Sequence, residues 1–450
     1  MTMTEISLSD ILTAREERVR MQSEIIKRFN CPIISFTMNI AGPVKNSPTI
    51  SRSFTLGLDY LDRAISEDKV LYKFVDIDSK TGPLAIYALN EDPDLIKSIC
   101  VAAEEKTALG RLFDMDVIDT SLKKRERDRE RGCIVCGAPG RACAAGRLHS
   151  LDEIISKMND IMRSELLSHD TDRVAALVRD CLISEVETTP KPGLVDIRNN
   201  GSHKDMSPGT FEKSANALVG YFAECVKIGA DTARKSHADT FSLLRNVGID
   251  AEGRMYSATD GVNTHKGAIY SLGIICGAIG RLWTPENPIP STDCLLKEAS
   301  KIAESSLQSD LAISKATTAG ERMYLELGSL GIRGEAASGF ISVRNTSLPR
   351  YRLLLESGYS KNNAGAITLI SLIASLDDTA IYNRGGKDGL SFAKAYAKDL
   401  LEKEKIPRID EIEKMDELFI QKNLSPGGSA DLLAITYFLY ELEKIAATQA

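Results

Sequence analysis

The sequence predicts two domains: an N-terminal α/β or α+β domain over residues 1–168 and a C-terminal all-α helical bundle over residues 169–450. Three observations carry this reading. The chain has 450 residues, more than one hydrophobic core usually organises. Alternation of apolar and polar residues with a period of two is confined to its first 120 residues. From Asp172 onward the apolar residues recur at helical spacing instead.

In the first domain, Ser9 is expected to cap a helix running to Phe29, with Leu12, Val19, Ile26 and Phe29 facing inward. Beyond Pro32, Ile34, Phe36, Met38 and Ile40 alternate with Ser35, Thr37 and Asn39, as in a half-buried strand. The following AGPVKNSP is a turn that presents Lys45 and Asn46. Residues 69–77 and 84–89 read as a hairpin joined through SKTGP.

GRLFDMDVID, residues 110–119, reads as a strand with Arg111 at its start. Phe113, Met115 and Val117 share one face, while Asp114 and Asp116 share the other. Two adjacent carboxylates repel unless a divalent cation lies between them. Such a DxD strand is what metal-dependent nucleotidyl transfer uses to hold Mg²⁺ against a triphosphate, so this domain is expected to be nucleotidyltransferase-like. Asp119 falls on the opposite face at this spacing.

Residues 123–131, KKRERDRER, are either a solvated, salt-bridged helix or a docking patch for phosphates or an acidic protein. Cys133, Cys136, Cys143 and His149 then follow as CxxC, x6, C, x5, H. That set can bind zinc tetrahedrally, or the cysteines can be reduced, buried thiols.

Residues 151–170 contain neither Pro nor Gly, so a helix ending near 169–172 is expected to join the domains. Helical segments follow at 172–187, 208–229, 231–247, 263–282, 292–308, 319–331, 349–358, 362–376, 388–405, 408–422 and 426–447. Between the first two, EVETTPKPGLVDIRNNGSHKDMS forms a loop shaped by Pro190, Pro192, Gly193 and Gly201. It carries Lys191, Asp196, Arg198, Asn199, Asn200, His203, Lys204 and Asp205, a set suited to a polyphosphate and its metal ion. Further polar clusters stand at helix starts: Asn263, His265 and Lys266 before an apolar helix; Asp377, Asp378, Arg384, Gly385 and Gly386; and Ser425, Gly427 and Gly428, where helix N–H groups favour an anion.

The bulk properties exclude several classes. A net charge of -7 provides no general field for nucleic acid. Nine scattered cysteines fit reduced thiols in a cytoplasm. The N-terminus carries Asp10, Glu16 and Glu17 and does not read as a signal peptide. The least polar run, residues 267–280, is too short to span a bilayer, and neither a Walker phosphate loop nor GxGxxG occurs.

Two groups of motifs carry a resemblance. AREERVRMQ, ISFTMNIAGPVKNSP, GRLFDMDVID and the CxxC…C…HS pattern resemble the citrate lyase apo-acyl-carrier-protein phosphoribosyl-dephospho-CoA transferases. TPKPGLVD, NNGSHKDM, GVNTHKGAIYSLG, RGG and LSPGGSADLL resemble the triphosphoribosyl-dephospho-CoA synthases. The chain departs from these patterns at Ala41, where a proline is usual, and at Ala380 and Asn383, where an asparagine and a histidine are. The resemblance implies a fusion of two consecutive enzymes. The second domain would join ATP to 3′-dephospho-CoA and release adenine. The first would transfer phosphoribosyl-dephospho-CoA to a serine of the citrate lyase acyl carrier protein and release pyrophosphate.

On that chemistry, Asp114 and Asp116 are expected to hold Mg²⁺ in the first domain, with Lys45, Asn46 and Arg111 on substrate. In the second, Asp196, Asp377 and Asp378 are candidate metal ligands, Asp205 a ligand or base, and His203 or His265 the acid. Lys191, Lys204, Lys266 and Arg384 are expected to bind phosphates, together with Asn199, Asn200, Asn263, Gly385, Gly386, Ser425, Gly427 and Gly428. A metal-dependent nucleotide or ribosyl hydrolase and a non-catalytic carrier-protein adaptor are the alternatives.

Overall fold

The structure, a computed structural model, describes residues 5–310, 319–403 and 406–449. Its internal contacts divide the chain into two compact units, Met1–His169 and Asp170–Ala450.

Unit 1 is an α+β unit. Its elements are α1 Leu8–Phe29, β1 Ile33–Met38, α2 Pro48–Ala64, β2 Val70–Asp76, β3 Leu84–Leu89, α3 Pro93–Glu105, β4 Phe113–Ile118 and α4 Gly140–Ala145. The strands form one antiparallel sheet in the order β2-β3-β1-β4. In β1, Phe36 stacks on Phe54 of α2 with centroids 4.3 Å apart and meets Phe113 of β4 edge-on at 5.3 Å. On the other face of β1, Ile33 packs with Ile25 and Ile26 of α1, and Gln22 donates to Ser35 Oγ at 2.8 Å.

Three expectations for this unit are corrected. The cap of α1 is Ser7, not Ser9: Ser7 and Asp10 exchange side-chain and backbone bonds in a capping box, which needs an acid three residues on. Leu12 and Val19 are 50% and 62% exposed, because only the last turns of α1 lie against the sheet. Residues 123–131 are not a helix. The chain turns back after β4, pairs Ile118 with Lys124, and donates Arg125 N–H to the Val117 carbonyl at 2.8 Å. The helices α2 and α3 were not anticipated, although each announces itself by a cap and a proline: Ser47-Pro48 and Asp92-Pro93.

All strands among the described residues lie in unit 1, and unit 2 is helical. The helix α5, Leu151–Glu187, runs unbroken through the expected stop near 169–172. No Gly or Pro interrupts it, and the buried Asp170 there finds a donor in the Trp283 indole at 2.8 Å. The rest is α6 Pro208–Asp231, α7 His237–Ala258, α8 Lys266–Leu282, α9 Thr292–Asp310, α10 Ala319–Leu327, α11 Gly331–Ala337, α12 Leu348–Glu356, α13 Lys361–Ser375, α14 Thr379–Lys403, α15 Ile409–Gln421 and α16 Gly427–Gln449.

α7 begins six residues later than expected, where Ser236 and Asp239 form a capping box. The expected 319–331 helix stops at Leu327, followed by Gly328 at φ +70°. α14 takes in residues 379–387, expected to be loop, because Asp378 accepts the N–H groups of Ala380 and Ile381; it is kinked at Gly386. The last two residues expected in that helix, 404 and 405, lie outside the described residues. α6 and α8 pack with backbones nearly touching, since a Cβ on Gly280 would come within 1.9 Å of the Val226 carbonyl oxygen. This locks the C-terminal end of α8 against α6. Among the described residues no single helix is long and apolar enough to cross a membrane.

Candidate active sites in the two units

A cavity of about 680 Å³ in unit 2 opens between the 188–207 loop and the starts of α8, α14 and α16, and α10 and α11 also line it. Its size suits a small-molecule site. Lys191, His203, Asn263, His265, Lys266, Asp377, Arg384, Ser425, Gly427 and Gly428 line it, so helix starts far apart in sequence are gathered on one space.

The loop is held from inside by Asp196, which is 1% exposed. One of its oxygens accepts from Thr189 Oγ1 at 2.7 Å and Lys191 N at 3.1 Å, the other from Arg198 N at 2.7 Å and Asn199 N at 3.0 Å. Gly193 has φ +69°, and a Cβ there would lie 2.1 Å from the Leu424 carbonyl oxygen. Asp416, not foreseen from the sequence, receives Gly193 N at 2.8 Å and Asn199 Nδ2 at 2.9 Å, which ties the loop to α15. Asn199 thus serves the loop itself.

Inside the cavity, Lys191 is 1% exposed and donates to Glu185 Oε1 at 2.6 Å and to the Glu185 carbonyl at 2.7 Å. The Arg384 guanidinium donates to His203 Nδ1 at 3.1 Å and to the Ser202 carbonyl at 2.9 Å. With Nδ1 accepting, His203 Nε2 carries the hydrogen and donates to Ser425 Oγ at 2.9 Å. Burial and the Arg384 charge lower the pKa of His203, so it is neutral at pH 7.

His265 is held similarly. Thr264 Oγ1 donates to Ser214 Oγ at 2.8 Å, and Ser214 in turn meets His265 Nδ1 at 2.7 Å. The Ser214 hydrogen therefore goes to Nδ1, leaving the hydrogen of His265 on Nε2. That Nε2 is buried and has no hydrogen-bond partner among the described residues. Burial, then the Lys191 charge, lowers the pKa of this imidazole to about 3, so it is a neutral donor.

The carboxylates divide into two kinds. Asp378 is 1% exposed and spends both oxygens on helix starts: one on Ala380 N and Ile381 N, the other on Ser429 N at 2.7 Å and Ser429 Oγ at 2.9 Å. Like Asp196 it is absent from the cavity lining. Asp377 lines the cavity and pairs with Lys394 at 2.6 Å. Asp431 on α16, missed in the sequence, also lines it. Burial, reinforced by Glu185 and Asp378, raises the Asp431 carboxyl well above the usual range. The residue sits four positions past Gly427 on the helix that the LSPGG start announces, and that spacing is the signal that could have found it.

Asn200, Lys204 and Asp205, exposed on the loop, and Gly385 and Gly386 of α14, half-buried, all lie outside the cavity lining. Lys266 lines the mouth and pairs with Glu252 at 2.8 Å.

In unit 1 the β1–β4 register sets Asp114 opposite Thr37 and Asp116 opposite Ser35, so the two acids share the polar face. Burial and the Asp116 charge raise the pKa of Asp114. Lys124, from the returning segment, pairs with Asp116 at 2.5 Å. The outer edge of β4 is closed by α3 and the same segment. Glu104 accepts Met115 N at 2.9 Å, Lys97 donates to the Met115 carbonyl at 3.2 Å, and Arg131 donates to the Phe113 carbonyl at 2.5 Å. Arg127 and Arg131 both pair with the buried Glu104.

Lys45 donates to the Ile40 carbonyl at 2.5 Å, and burial lowers its pKa. Asn46 donates to the Ile77 and Ser79 carbonyls and accepts from Ser47 N and Ser51 Oγ, so its amide closes the turn. Arg111 donates to the Gly132 carbonyl. The ligand-type atoms of Cys133, Cys136, Cys143 and His149 all lie within 4.8 Å of one another.

Comparison with known proteins gives two family matches in series. Residues 6–165 match the apo-citrate lyase phosphoribosyl-dephospho-CoA transferases, and residues 171–449 match the ATP:dephospho-CoA triphosphoribosyl transferases. Protein CitXG of Haemophilus influenzae is 35% identical over 453 residues, covering 97% of this chain and 96% of its own. Protein CitXG of Leuconostoc mesenteroides subsp. cremoris is 32% identical over 467 residues, covering 97% of both. A probable 2-(5''-triphosphoribosyl)-3'-dephosphocoenzyme-A synthase of Vibrio cholerae is 42% identical over 280 residues, 60% of this chain and 88% of that protein.

Proposed function

This chain belongs to the CitXG family, and we propose that it makes and attaches the citrate lyase prosthetic group in two steps. The observation that carries the proposal is the serial match of residues 6–165 and 171–449 to the transferase and synthase families. Unit 2 joins ATP and 3′-dephospho-CoA to give 2′-(5″-triphosphoribosyl)-3′-dephospho-CoA and adenine. Unit 1, nucleotidyltransferase-like in its chemistry, passes the phosphoribosyl-dephospho-CoA part to a serine of the citrate lyase acyl carrier protein and releases pyrophosphate. Such substrates and the free cysteines fit a cytoplasmic enzyme.

In unit 2 the cavity is the site. Lys191, Lys266 and Arg384 place positive charge where a triphosphate must lie, and His265 offers a fixed Nε2–H to one of its oxygens. His203, neutral and pinned between Arg384 and Ser425, orients rather than protonates. Breaking the bond from ribose to adenine passes through an oxocarbenium-like state, and the base leaves with a proton. Asp431 lines the cavity, and burial with the nearby Glu185 and Asp378 charges shifts its carboxyl towards the protonated form, which suits it to act as the acid. It gives that proton to the departing base and recovers it from the attacking ribose hydroxyl. A divalent cation held with the triphosphate would offset its negative charge. Of the acids in the cavity, Asp377 and Glu185 are candidates to meet such an ion, whereas Asp196 and Asp378 spend their oxygens on backbone and hydroxyl donors.

In unit 1, Asp114 and Asp116 are the pair that fits a divalent cation: two acids on one strand face, Asp114 with its pKa raised by burial and by the Asp116 charge. Bound there, Mg²⁺ would steady the triphosphate as the carrier serine attacks the α-phosphorus, with Lys45 beside the leaving pyrophosphate.

Mass spectrometry of the full chain with ATP, Mg²⁺ and dephospho-CoA tests the first step, and addition of the apo carrier protein tests the second. Free ribose triphosphate from ATP alone would identify a hydrolase, and no turnover with an unmodified carrier would identify an adaptor.

A further inference from the structure

We infer that unit 1 contains a structural zinc site of three thiolates and one imidazole, formed by Cys133, Cys136, Cys143 and His149. The distances between the donor atoms suit a tetrahedral ligand set. With Zn–S bonds of about 2.3 Å and Zn–N bonds of about 2.0 Å, the edges between ligand atoms are roughly 3.4–3.8 Å. Cys136 Sγ and Cys143 Sγ are 3.8 Å apart, and all four donor atoms fall within 4.8 Å of one another. The thiols are free, so no disulfide accounts for their convergence. A second, independent observation is the imidazole: His149 Nε2 is buried and without a hydrogen-bond partner among the described residues. A buried polar atom aimed at nothing carries a desolvation cost that a metal bond would remove.

The backbone holds each donor before any metal arrives. Cys133 and Cys136 flank a tight turn in which Gly137 N donates to the Cys133 carbonyl at 2.9 Å and Cys133 N to the Ala138 carbonyl at 2.6 Å. Gly137 has φ +75°, the left-handed conformation that lets the chain reverse after the second cysteine. Cys143 lies on α4, and Leu148 N bonds back to its carbonyl at 3.2 Å, which brings round His149. Ser150 then caps α5 by exchanging bonds with Glu153, at 2.7 and 3.2 Å, so His149 stands at the fixed end of a long helix.

The site sits where a staple is useful. Gly132, next to Cys133, is held by Arg111, and Arg131 reaches the Phe113 carbonyl and Glu104. Closing the four ligands on one ion fixes the far end of the 119–132 segment, the same segment that lays Lys124 against Asp116. The ion is placed to hold this face in shape and takes no part in the transfer chemistry.

The test uses the full chain purified under reducing conditions without chelator, with metal content read by plasma mass spectrometry. The expected result is one zinc per chain, kept by Cys294→Ser, whose thiol is exposed in unit 2, and lost by Cys136→Ser and Cys143→Ser. His149→Cys should keep the ion and His149→Ala should lose it on mild chelation. Cobalt substitution should give a thiolate-to-cobalt charge-transfer band, weaker in Cys136→Ser, which separates ligand loss from simple misfolding. Substoichiometric zinc in the parent chain, zinc retained by both cysteine variants, or a Cys136–Cys143 disulfide in the reduced protein would each overturn the assignment.

Discussion

Lys191 Nζ lies 2.6 Å from Glu185 Oε1, and the two side chains are 2% and 7% exposed. One turn at the end of α5 and one loop lysine therefore form a buried ion pair on the wall of the unit 2 cavity. Removing one partner leaves the other charged and without water, which typically costs about 3–5 kcal/mol. Lys191→Met should cost more than Glu185→Gln, because it leaves Glu185 negative beside Asp431. Trp283, the chain's one tryptophan, is buried in unit 2, so its fluorescence reports the unfolding of that unit alone. Equal unfolding midpoints for parent and Lys191→Met would refute the pair's importance.

The neutral state of His265 has a consequence for acid stability. Its pKa falls from 6.5 to about 3 on folding, so the folded state resists a proton that the unfolded chain accepts. The contribution is complete above about pH 6.5 and is eroded progressively as the pH drops towards 3. At pH 5 the loss is about 2 kcal/mol. His265→Gln lacks this term. The parent should therefore lose that much more than the variant between pH 7 and pH 5, measured by denaturant titration of Trp283 emission. Parallel pH profiles would show that the imidazole is not buried neutral.

Asp431 makes a sharper claim on catalysis. If it carries the proton of adenine departure, Asp431→Asn should reduce adenine release by roughly 10²–10⁴-fold. The unfolding midpoint should move little, because no hydrogen bond holds the carboxyl in the described residues and Asn has the same shape. Asp378→Asn should behave oppositely. It joins the starts of α14 and α16 through four donors, so its loss should appear first in stability.

What the sequence disclosed follows a physical line. The DxD face was legible because strand geometry is local: alternate residues share a face whatever surrounds them, and β4 places Asp114 and Asp116 together. Helix starts at Ser207-Pro208 and around Ser425 were legible for the same reason. Roles inside the cavity were not. Asp196 and Asp378 look like ligands in a motif, yet in the fold their oxygens go to backbone N–H groups that only the tertiary arrangement supplies. Asp431 could have been found from its spacing to Gly427, whereas Asp416, far along the chain, becomes visible only when α15 is packed against the loop. The segment 123–131 deceived for a related reason. Its charges alternate as on a solvated helix, but the open edge of β4 offers carbonyls and Glu104 that a helix would not meet.

The two half-reactions should separate by mutation. Asp114→Asn or Asp116→Asn should abolish labelling of the carrier protein while adenine release continues at the parent rate, since both acids lie in unit 1. Removing a charge from a site with few protein ligands weakens Mg²⁺ binding severely. Loss of both activities together would mean that the units share a site or that the variants misfold.

The arginines after β4 should also divide, by what each one touches. Arg127 is 18% exposed and pairs with Glu104, itself 2% exposed, and with Glu105 at 2.8 Å. Arg129 is exposed, with no such pair among the described residues. Arg127→Ser should therefore destabilise unit 1, by about 1–2 kcal/mol because Arg131 still reaches Glu104. Arg129→Ser and Lys123→Ser should leave stability alone. If this segment receives the acidic carrier protein, those two variants should raise the carrier concentration needed for half-maximal transfer at low salt. The difference should shrink as salt brings the screening length below about 10 Å. Carrier kinetics unchanged in the double variant at low ionic strength would place docking elsewhere on unit 1 and leave the segment as the cover of the β4 edge.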